Sequence, residues 1–351
     1  MLLYVLKRLA WAVVVFLAVT FSTYVLFFVI PTNRPGNSNV QGRDITTGVT
    51  TGVSQATGIH GPVWHEYGVF LWRIVTVQSL GRSTTSREEV NAELKRAAPI
   101  TASVIFGGAV FWMLVSIPIG ILSALRPRSL LDRATMLFVL IGISVHPIWL
   151  GLILVYVFGH KLNMFPLGGY CDFFYAGKSE ICGGPRQWAY HLILPWITFG
   201  MLFAALYVRM IRASVRETLD NDYVMTARAK GASELRVVRN HVLKNAFLPV
   251  ITMLGMDISI AFGGSVFVET VFGLPGIGRL AVRSLQRQDL PPLMGIIVLV
   301  TVAILIFNLV VDLLYAWLDP RIGTSPRGLD EEDRAQLRKA RTEPSAKPMR
   351  A

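Results

Sequence analysis

Six apolar stretches of membrane-spanning length constrain the fold of this chain more than any other feature. A bilayer core needs about 20 apolar residues of helix to cross it, and lipid offers the backbone no hydrogen-bond partners. Each stretch is therefore expected to be a helix, so the sequence predicts an all-α polytopic membrane protein with six transmembrane helices. The stretches run from about Leu9 to Ile30, Ile100 to Leu125, Ala134 to Phe158, Leu192 to Ile211, Phe247 to Val268 and Leu293 to Leu318.

The composition excludes an ordinary soluble domain. Of the 351 residues, 53% are hydrophobic and 16% are charged, whereas about a quarter of the residues are charged in soluble domains. The net charge is +12, but the cations lie between the apolar stretches, where membrane topology accounts for them. We therefore expect membrane lipid around the chain and no nucleic-acid partner.

The distribution of Lys and Arg predicts the orientation. If the N-terminus is cytoplasmic, the cytoplasmic segments hold most of the 34 Lys and Arg residues, as the positive-inside rule requires. Both termini are then cytoplasmic. On this topology the first transmembrane helix occupies 1–31, a core with the other five helices occupies 99–318, and 319–351 form a charged cytoplasmic tail.

The extracytoplasmic segment 32–98 has two unlike parts. Residues 36–61 are rich in Gly, Thr and Ser and have no apolar periodicity, so a flexible insertion is predicted. Residues 64–97 carry apolar side chains at helical spacing, for example Val90 and Leu94. Two short amphipathic helices are therefore expected there.

Both cysteines, Cys171 and Cys182, fall in one predicted extracytoplasmic loop. An oxidising exterior allows them to form a disulfide, which would close a small ring worth about 2–3 kcal/mol. Two free thiols are the alternative.

Motifs for covalent chemistry do not stand out in the sequence. Gly177-Lys178-Ser179 resembles the end of a phosphate-binding loop, but Asp172 stands where that motif needs its first glycine. The six histidines are scattered, and no metal-binding or catalytic spacing is found. We therefore expect a transport protein that is not an enzyme and that binds no cofactor or metal. Energy for active transport would come from a partner ATPase or an ion gradient.

The segment 226–249, TARAKGASELRVVRNHVLKNAFLP, lies between the fourth and fifth apolar stretches. Gly231 lies between two short amphipathic helical patterns. The second pattern places Leu235, Val238 and Val242 on one face. A glycine inside a helical pattern often marks a bend or a close approach. The residues alone leave two interpretations open: a docking surface for another protein, or a solvated loop.

Four stretches of the sequence resemble one family. DYVMTARAKGASELRVVRNHVLKNAFLP is similar to the cytoplasmic EAA loop of ABC-importer permeases of the dipeptide/oligopeptide/nickel group. The N-terminal MLLYVLKRLAWAVVVFLAVTF resembles the first span of that group, and FPLGGY with HLILPWITFG resembles its third outer loop and fourth span. FVETVFGLPGIGRLAVRSLQRQDLPPLMG and NLVVDLLYAWLDPRIG resemble its fifth loop and last span.

This resemblance implies a type I ABC-importer permease fold in a bacterial cell membrane. It implies a homologous second permease, two cytoplasmic ATPases that bind ATP and Mg, and an extracytoplasmic binding protein that delivers short peptides. The loop 212–246 would then couple the ATPases to the membrane helices. The coupling residues that it implies are Tyr223, Met225, Thr226, Ala227, Arg228, Lys230, Gly231, Ala232 and His241.

Polar and small residues within the spans are candidates for the translocation path. A carboxylate near mid-bilayer costs about 2.5–3.5 kcal/mol, so Asp257 should face protein or a watery cavity. The alternative for Asp257 is a structural role as the partner of Asn308 or of another helix, and the alternative for Glu269 is a solvated helix end. The path candidates are Asp257, Gly263, Gly264, Glu269 and Asn308.

Two rival functions stay open at the level of sequence. One is the same machinery importing nickel or another small solute. The other is a gradient-driven transporter or channel that works without ATPase partners.

Overall fold

The computed structural model describes residues 2–26, 63–76, 80–174 and 182–318, and these residues are organised as helices and connecting turns. The helices, in chain order, are α1 (Leu2–Tyr24), α2 (Val63–Thr76), α3 (Val90–Leu125), α4 (Leu130–Ser144), α5 (Pro147–Leu154), α6 (Pro185–Leu219), α7 (Asp222–Ala229), α8 (Glu234–Val237), α9 (Leu243–Ala246), α10 (Leu248–Val271), α11 (Ile277–Gln286) and α12 (Leu290–Leu318). Two π-helical turns, Val155–Lys161 and Val238–Val242, follow α5 and α8.

Among the described residues, four helices are long and apolar enough to cross a membrane: α3, α6, α10 and the Leu290–Val311 part of α12. The bent pair Leu130–Ser144 and Pro147–Lys161 makes a fifth candidate span. The expected first span, Leu9 to Ile30, extends past the described residues, and its described part is the shorter apolar helix Arg8–Tyr24. The chain is therefore an all-α membrane protein with four or five candidate spans in its described part.

The third expected span, Ala134 to Phe158, is not one continuous helix, so the expectation of a single helix is wrong there, while the bent pair remains a candidate span. Its two helices meet at an angle of 104°. Pro147 has no N–H and disfavours helical geometry in the residue before it. His146 accordingly has an extended backbone (φ −71°, ψ 136°), and its side chain accepts a hydrogen bond from the N–H of Ile148. Proline here ends one helix and begins another.

The amphipathic helices expected within 64–97 also differ from the structure. The first corresponds to α2. The second is not a separate helix, because Val90 and Leu94 lie in the first turns of α3, which continues without interruption to Leu125. Its apolar pattern therefore extends a span instead of forming a surface helix. The insertion 36–61 and the tail 319–351 lie outside the described residues.

Helix α6 lies at the centre of the bundle and packs most extensively on α3. At their crossing, a Cβ on Gly200 would lie 2.7 Å from the Phe111 ring and 3.2 Å from the Gly108 carbonyl oxygen. Trp112 of α3 stacks on Phe203 of α6 with ring centroids 4.6 Å apart. Because lipid tails give no hydrophobic drive for helix association, such close approach at small residues stabilises the bundle.

Candidate functional site

Most of the expected coupling loop 212–246 lies between α6 and α10, in residues 220–247, while its first residues belong to α6. We call 220–247 the coupling loop after that expectation, and valines anchor it to the bundle. Val224, Val237 and Val242 are fully buried in the main hydrophobic core. Gly231 separates α7 from α8 with φ +79°, and a Cβ there would meet no atom within 4 Å. Glycine is therefore favoured by the left-handed backbone and not by lack of space.

The implied coupling residues lie together on this loop and are mostly exposed. Ala227 and Ala232 are half-buried, while Tyr223, Met225, Thr226, Arg228, Lys230, Gly231 and His241 are exposed. Large apolar side chains on an exposed face mark an interaction surface when they cluster. The loop presents such side chains, because Met225 is 54% exposed and Leu235 is 80% exposed.

Sequence reasoning missed how the loop is braced. Arg228 makes a two-point ion pair with Glu234 across the bend at Gly231, with Nε to Oε1 at 2.9 Å. Tyr223 accepts a hydrogen bond from Asn245 Nδ2 at 2.9 Å. Leu235, expected on the same face as Val238 and Val242, points instead to solvent. The π-helical turn from Val238 shifts the helical register, which a regular 3.6-residue pattern cannot predict.

Glu269 is fully buried near the C-terminal end of α10, away from the coupling loop. We call this end of the bundle the Glu269 end. Its Oε1 accepts a hydrogen bond from Thr101 Oγ1 at 2.6 Å, and its Oε2 accepts one from the N–H of Arg279 at 3.0 Å. Thr101 in turn accepts the N–H of Ile277 at 2.8 Å. The alternative of a solvated helix end is therefore wrong, because Glu269 joins α3, α10 and the start of α11.

Asp257 is 8% exposed and lies beside the Tyr207 hydroxyl in the bundle interior. Its Oδ2 has no hydrogen-bond partner in the described part of the chain. The alternative of Asn308 as its structural partner is wrong, because Asn308 accepts a hydrogen bond from Ser259 at 3.1 Å in an exposed contact. Asp257 thus lies on the buried side of α10, whereas Asn308 of α12 contacts α10 at Ser259.

Gly263 and Gly264, the path candidates on α10, have unlike surroundings. A Cβ at Gly263 would meet nothing within 4 Å, whereas one at Gly264 would lie 3.6 Å from the Phe199 ring. Gly263 lies on the exposed side with Met256 and Ile260, which are both 63% exposed. The structure therefore does not gather the five path candidates into one site.

Cys171 and Cys182 form a disulfide in the structure, with their Cα atoms 5.3 Å apart. The His191 ring lies beside it, with Nδ1 3.4 Å from Cys171 Sγ. Because the two sulfur atoms are bonded to each other, they are not thiolate ligands for a metal. The preceding residues reach α10, since the N–H of Gly169 donates to the carbonyl of Phe272 at 3.0 Å.

Two family models match the chain over most of its length. The model for "Binding-protein-dependent transport system inner membrane component" matches residues 116–324. The model for the N-terminal part of such membrane components matches residues 1–105. The chain belongs to this family of inner-membrane transport components. It is thus a multi-pass permease without catalytic activity of its own, and ATP binding in such systems belongs to partner ATPases.

Similar sequences agree with this assignment. The chain is 32% identical to the dipeptide transport system permease protein DppB of Escherichia coli (strain K12), covering 92% of this chain and 99% of that one. It is likewise 32% identical to the di/tripeptide transport system permease protein DppB of Pseudomonas aeruginosa (strain UCBPP-PA14), with the same coverage. It is 34% identical to the probable D,D-dipeptide transport system permease protein DdpB of Escherichia coli (strain K12), covering 91% and 97%.

A solved structure also resembles the fold. A chain of the MetNI methionine ABC transporter in an inward-facing conformation superposes with a TM-score of 0.51 at 17% identity, covering 65% of this chain and 96% of that one. At this identity the likeness concerns the fold alone. The described part of this chain therefore has a fold like that of an ABC-transporter permease.

Proposed function

We propose that this chain is one membrane-spanning subunit of an ATP-driven importer and forms half of the translocation path for short peptides. The supporting observation is the 32% identity, over nearly the full length of both chains, to permeases named for dipeptides and for di- and tripeptides. The cargo proposed for this chain follows from those relatives.

The proposed assembly contains a homologous second permease, two cytoplasmic ATPases that bind ATP and Mg, and an extracytoplasmic substrate-binding protein. The permease has the type I importer fold with six spans and with both termini in the cytoplasm. The end of the bundle that carries Gly231 and the coupling loop then faces the ATPases, and the Glu269 end faces the binding protein. The segment 32–98 and the disulfide loop lie on the binding-protein side.

The coupling loop is the proposed contact with an ATPase. Its exposed side chains, among them Tyr223, Met225 and Leu235, are available to fit a cleft of that partner. Closure of the ATPases on ATP would displace the loop, and because α6 runs without interruption into it, the spans would move with it. Hydrolysis would reset them, which gives alternating access.

The exposed side of α10 supports a path at the interface with the second permease. Gly263 and Asn308 are exposed and are proposed to line that path, together with the half-buried Gly264 next to Gly263 in the chain. Asp257 and Glu269 are proposed to hold the helices that border it, because both side chains are buried within this chain.

The cargo is tested by deleting the gene in a strain that needs an amino acid and supplying that amino acid only within short peptides. Loss of growth on peptides, with normal growth on the free amino acid, is the expected result. Normal growth on peptides together with impaired nickel uptake would favour the nickel alternative. ATPase subunits that fail to co-purify with the chain would favour a gradient-driven transporter.

The coupling role is tested at Gly231 in the assembled transporter. Gly231→Trp is expected to abolish uptake and the stimulation of ATPase activity while leaving membrane insertion intact. Gly231→Asn is the matched control, because Asn tolerates a left-handed backbone better than other non-glycine residues. Normal uptake by the Trp variant would contradict the proposal.

A further inference from the structure

A buried ion pair joins α4 and α6 near the coupling loop. Arg212 of α6 donates two hydrogen bonds to the carboxylate of Asp132 of α4, from Nε to Oδ1 at 2.7 Å and from Nη2 to Oδ2 at 3.0 Å. The Asp132 side chain is 8% exposed and the Arg212 side chain 18% exposed. Two parallel bonds of this kind fix the relative orientation of the groups as well as their distance.

Two further groups complete the surroundings of this carboxylate. Ser123, close to the end of α3, donates to Asp132 Oδ1 at 2.6 Å and accepts from Arg212 Nε at 3.1 Å. The backbone N–H of Arg128, in the turn between α3 and α4, donates to Oδ2 at 3.0 Å. Three helices and one turn therefore meet at a single carboxylate.

The position of Arg212 along α6 connects this carboxylate to both ends of the coupling loop. Helix α6 continues from Arg212 to Leu219, and α7 begins at Asp222. Two residues after Arg212, Ser214 Oγ donates to the carbonyl of Ala246, the last residue of α9, at 3.0 Å. A displacement of the loop that moves α6 therefore acts directly on Asp132.

We propose that the pair of Arg212 and Asp132 is the joint that passes displacement of the coupling loop to α3 and α4, so that both are positioning residues for transport. The proposal rests on the coupling role of the loop given above. A buried ion pair stabilises helix packing less efficiently than apolar side chains do, because removing two charges from water costs free energy that apolar packing does not. Its directional geometry suits the transfer of a displacement.

The test uses the whole transporter, with its second permease, ATPases and binding protein, reconstituted in vesicles with a dipeptide as cargo. Peptide uptake and ATP hydrolysis are measured in the same preparation. Asp132→Asn is expected to lower the amount of peptide imported per ATP hydrolysed by about tenfold, within the usual range of coupling between sites. The exchanged pair Asp132→Arg with Arg212→Asp is expected to recover part of that loss.

A matched control separates this role from simple support of α4. Ser129 Oγ accepts a hydrogen bond from the N–H of Asp132 at 3.2 Å and caps α4, so Ser129→Ala weakens the helix without removing the ion pair. This variant is expected to melt at a lower temperature with an unchanged ratio of uptake to hydrolysis.

The proposal is overturned if Asp132→Asn melts earlier but keeps the wild-type ratio, or if Ser129→Ala lowers the ratio equally. If Asp132→Asn does not assemble, Arg212→Lys replaces it, since Lys keeps the charge but loses the two-point geometry. A wild-type ratio in Arg212→Lys would then overturn the proposal. Wild-type vesicles that hydrolyse ATP without importing the dipeptide would contradict the proposed function instead.

Discussion

Glu269 Oε2 accepts a hydrogen bond from the backbone N–H of Arg279 at 3.0 Å, and this contact ties the end of α10 to the first turn of α11. The turn between the two helices is held by a side chain that is fully buried. Its shape therefore depends on one carboxylate.

Glu269→Gln is expected to lower the free energy of unfolding by about 1–3 kcal/mol, because the amide nitrogen cannot accept a hydrogen bond and leaves either the Thr101 hydroxyl or the Arg279 N–H without its acceptor. Thermal unfolding of the purified transporter measures the effect. Glu217→Gln is the control, since Glu217 is exposed and its substitution is expected to stay within about 0.5 kcal/mol of the wild type. Equal melting temperatures for the two variants would refute the structural role of Glu269.

Gly276→Ala is expected to lower the free energy of unfolding by about 1–3 kcal/mol, because the added Cβ would lie 2.6 Å from Glu269 Oε1 and crowd it. The backbone at Gly276 is extended (φ −87°, ψ −176°), so alanine introduces no conformational strain. Removing the Glu269 carboxylate should relieve this clash. The double variant Gly276→Ala with Glu269→Ala is expected to lose less stability than the sum of the two single variants. Strict additivity in thermal unfolding would contradict the contact.

Gly200→Leu is expected to prevent stable packing of α3 against α6, because even a Cβ at this position lies 2.7 Å from the Phe111 ring. The measurement is the yield of folded permease subunit after detergent extraction. Gly263→Leu on α10 is the matched control within this chain, since nothing lies within 4 Å of a Cβ there. If Gly263 faces the second permease as proposed, its variant should insert and fold but import less peptide.

Replacing Cys171 and Cys182 by serine together is expected to lower the free energy of unfolding by about 2–3 kcal/mol, since the crosslink restricts the unfolded chain. Melting temperatures with and without a thiol reductant measure this. Reductant should bring the wild type to the level of the double variant and leave the variant unchanged. Labelling of the unreduced protein by a maleimide would indicate free thiols and contradict the disulfide.

The long apolar helices could be predicted from sequence because lipid forces an apolar run to satisfy its own backbone hydrogen bonds. The apolar runs thus predict α3, α6, α10 and most of α12. They do not predict the 104° break at His146 and Pro147, because a proline inside an apolar run is compatible with either a kink or a break, depending on the neighbouring helices.

The candidate site was predictable only in part, for a related reason. The backbone requirement at Gly231 is local, so a glycine between two helical patterns indicates it. The side of α10 on which Asp257 lies depends on packing against α6, and α10 is apolar all around. The contact of Arg212 with Asp132 joins residues 80 positions apart, which no periodicity reveals.

Helix α6 contains 35 residues, which at 1.5 Å per residue makes it about 50 Å long. The hydrocarbon core of a bilayer is about 30 Å thick. If the helix pivots near mid-membrane, a change in tilt of about 10° moves its end by about 4 Å at this length. If the coupling loop contacts an ATPase as proposed, a small rotation of α6 against α3 becomes a displacement of several ångströms at that contact, and the helix would work as a lever arm that pivots in the membrane.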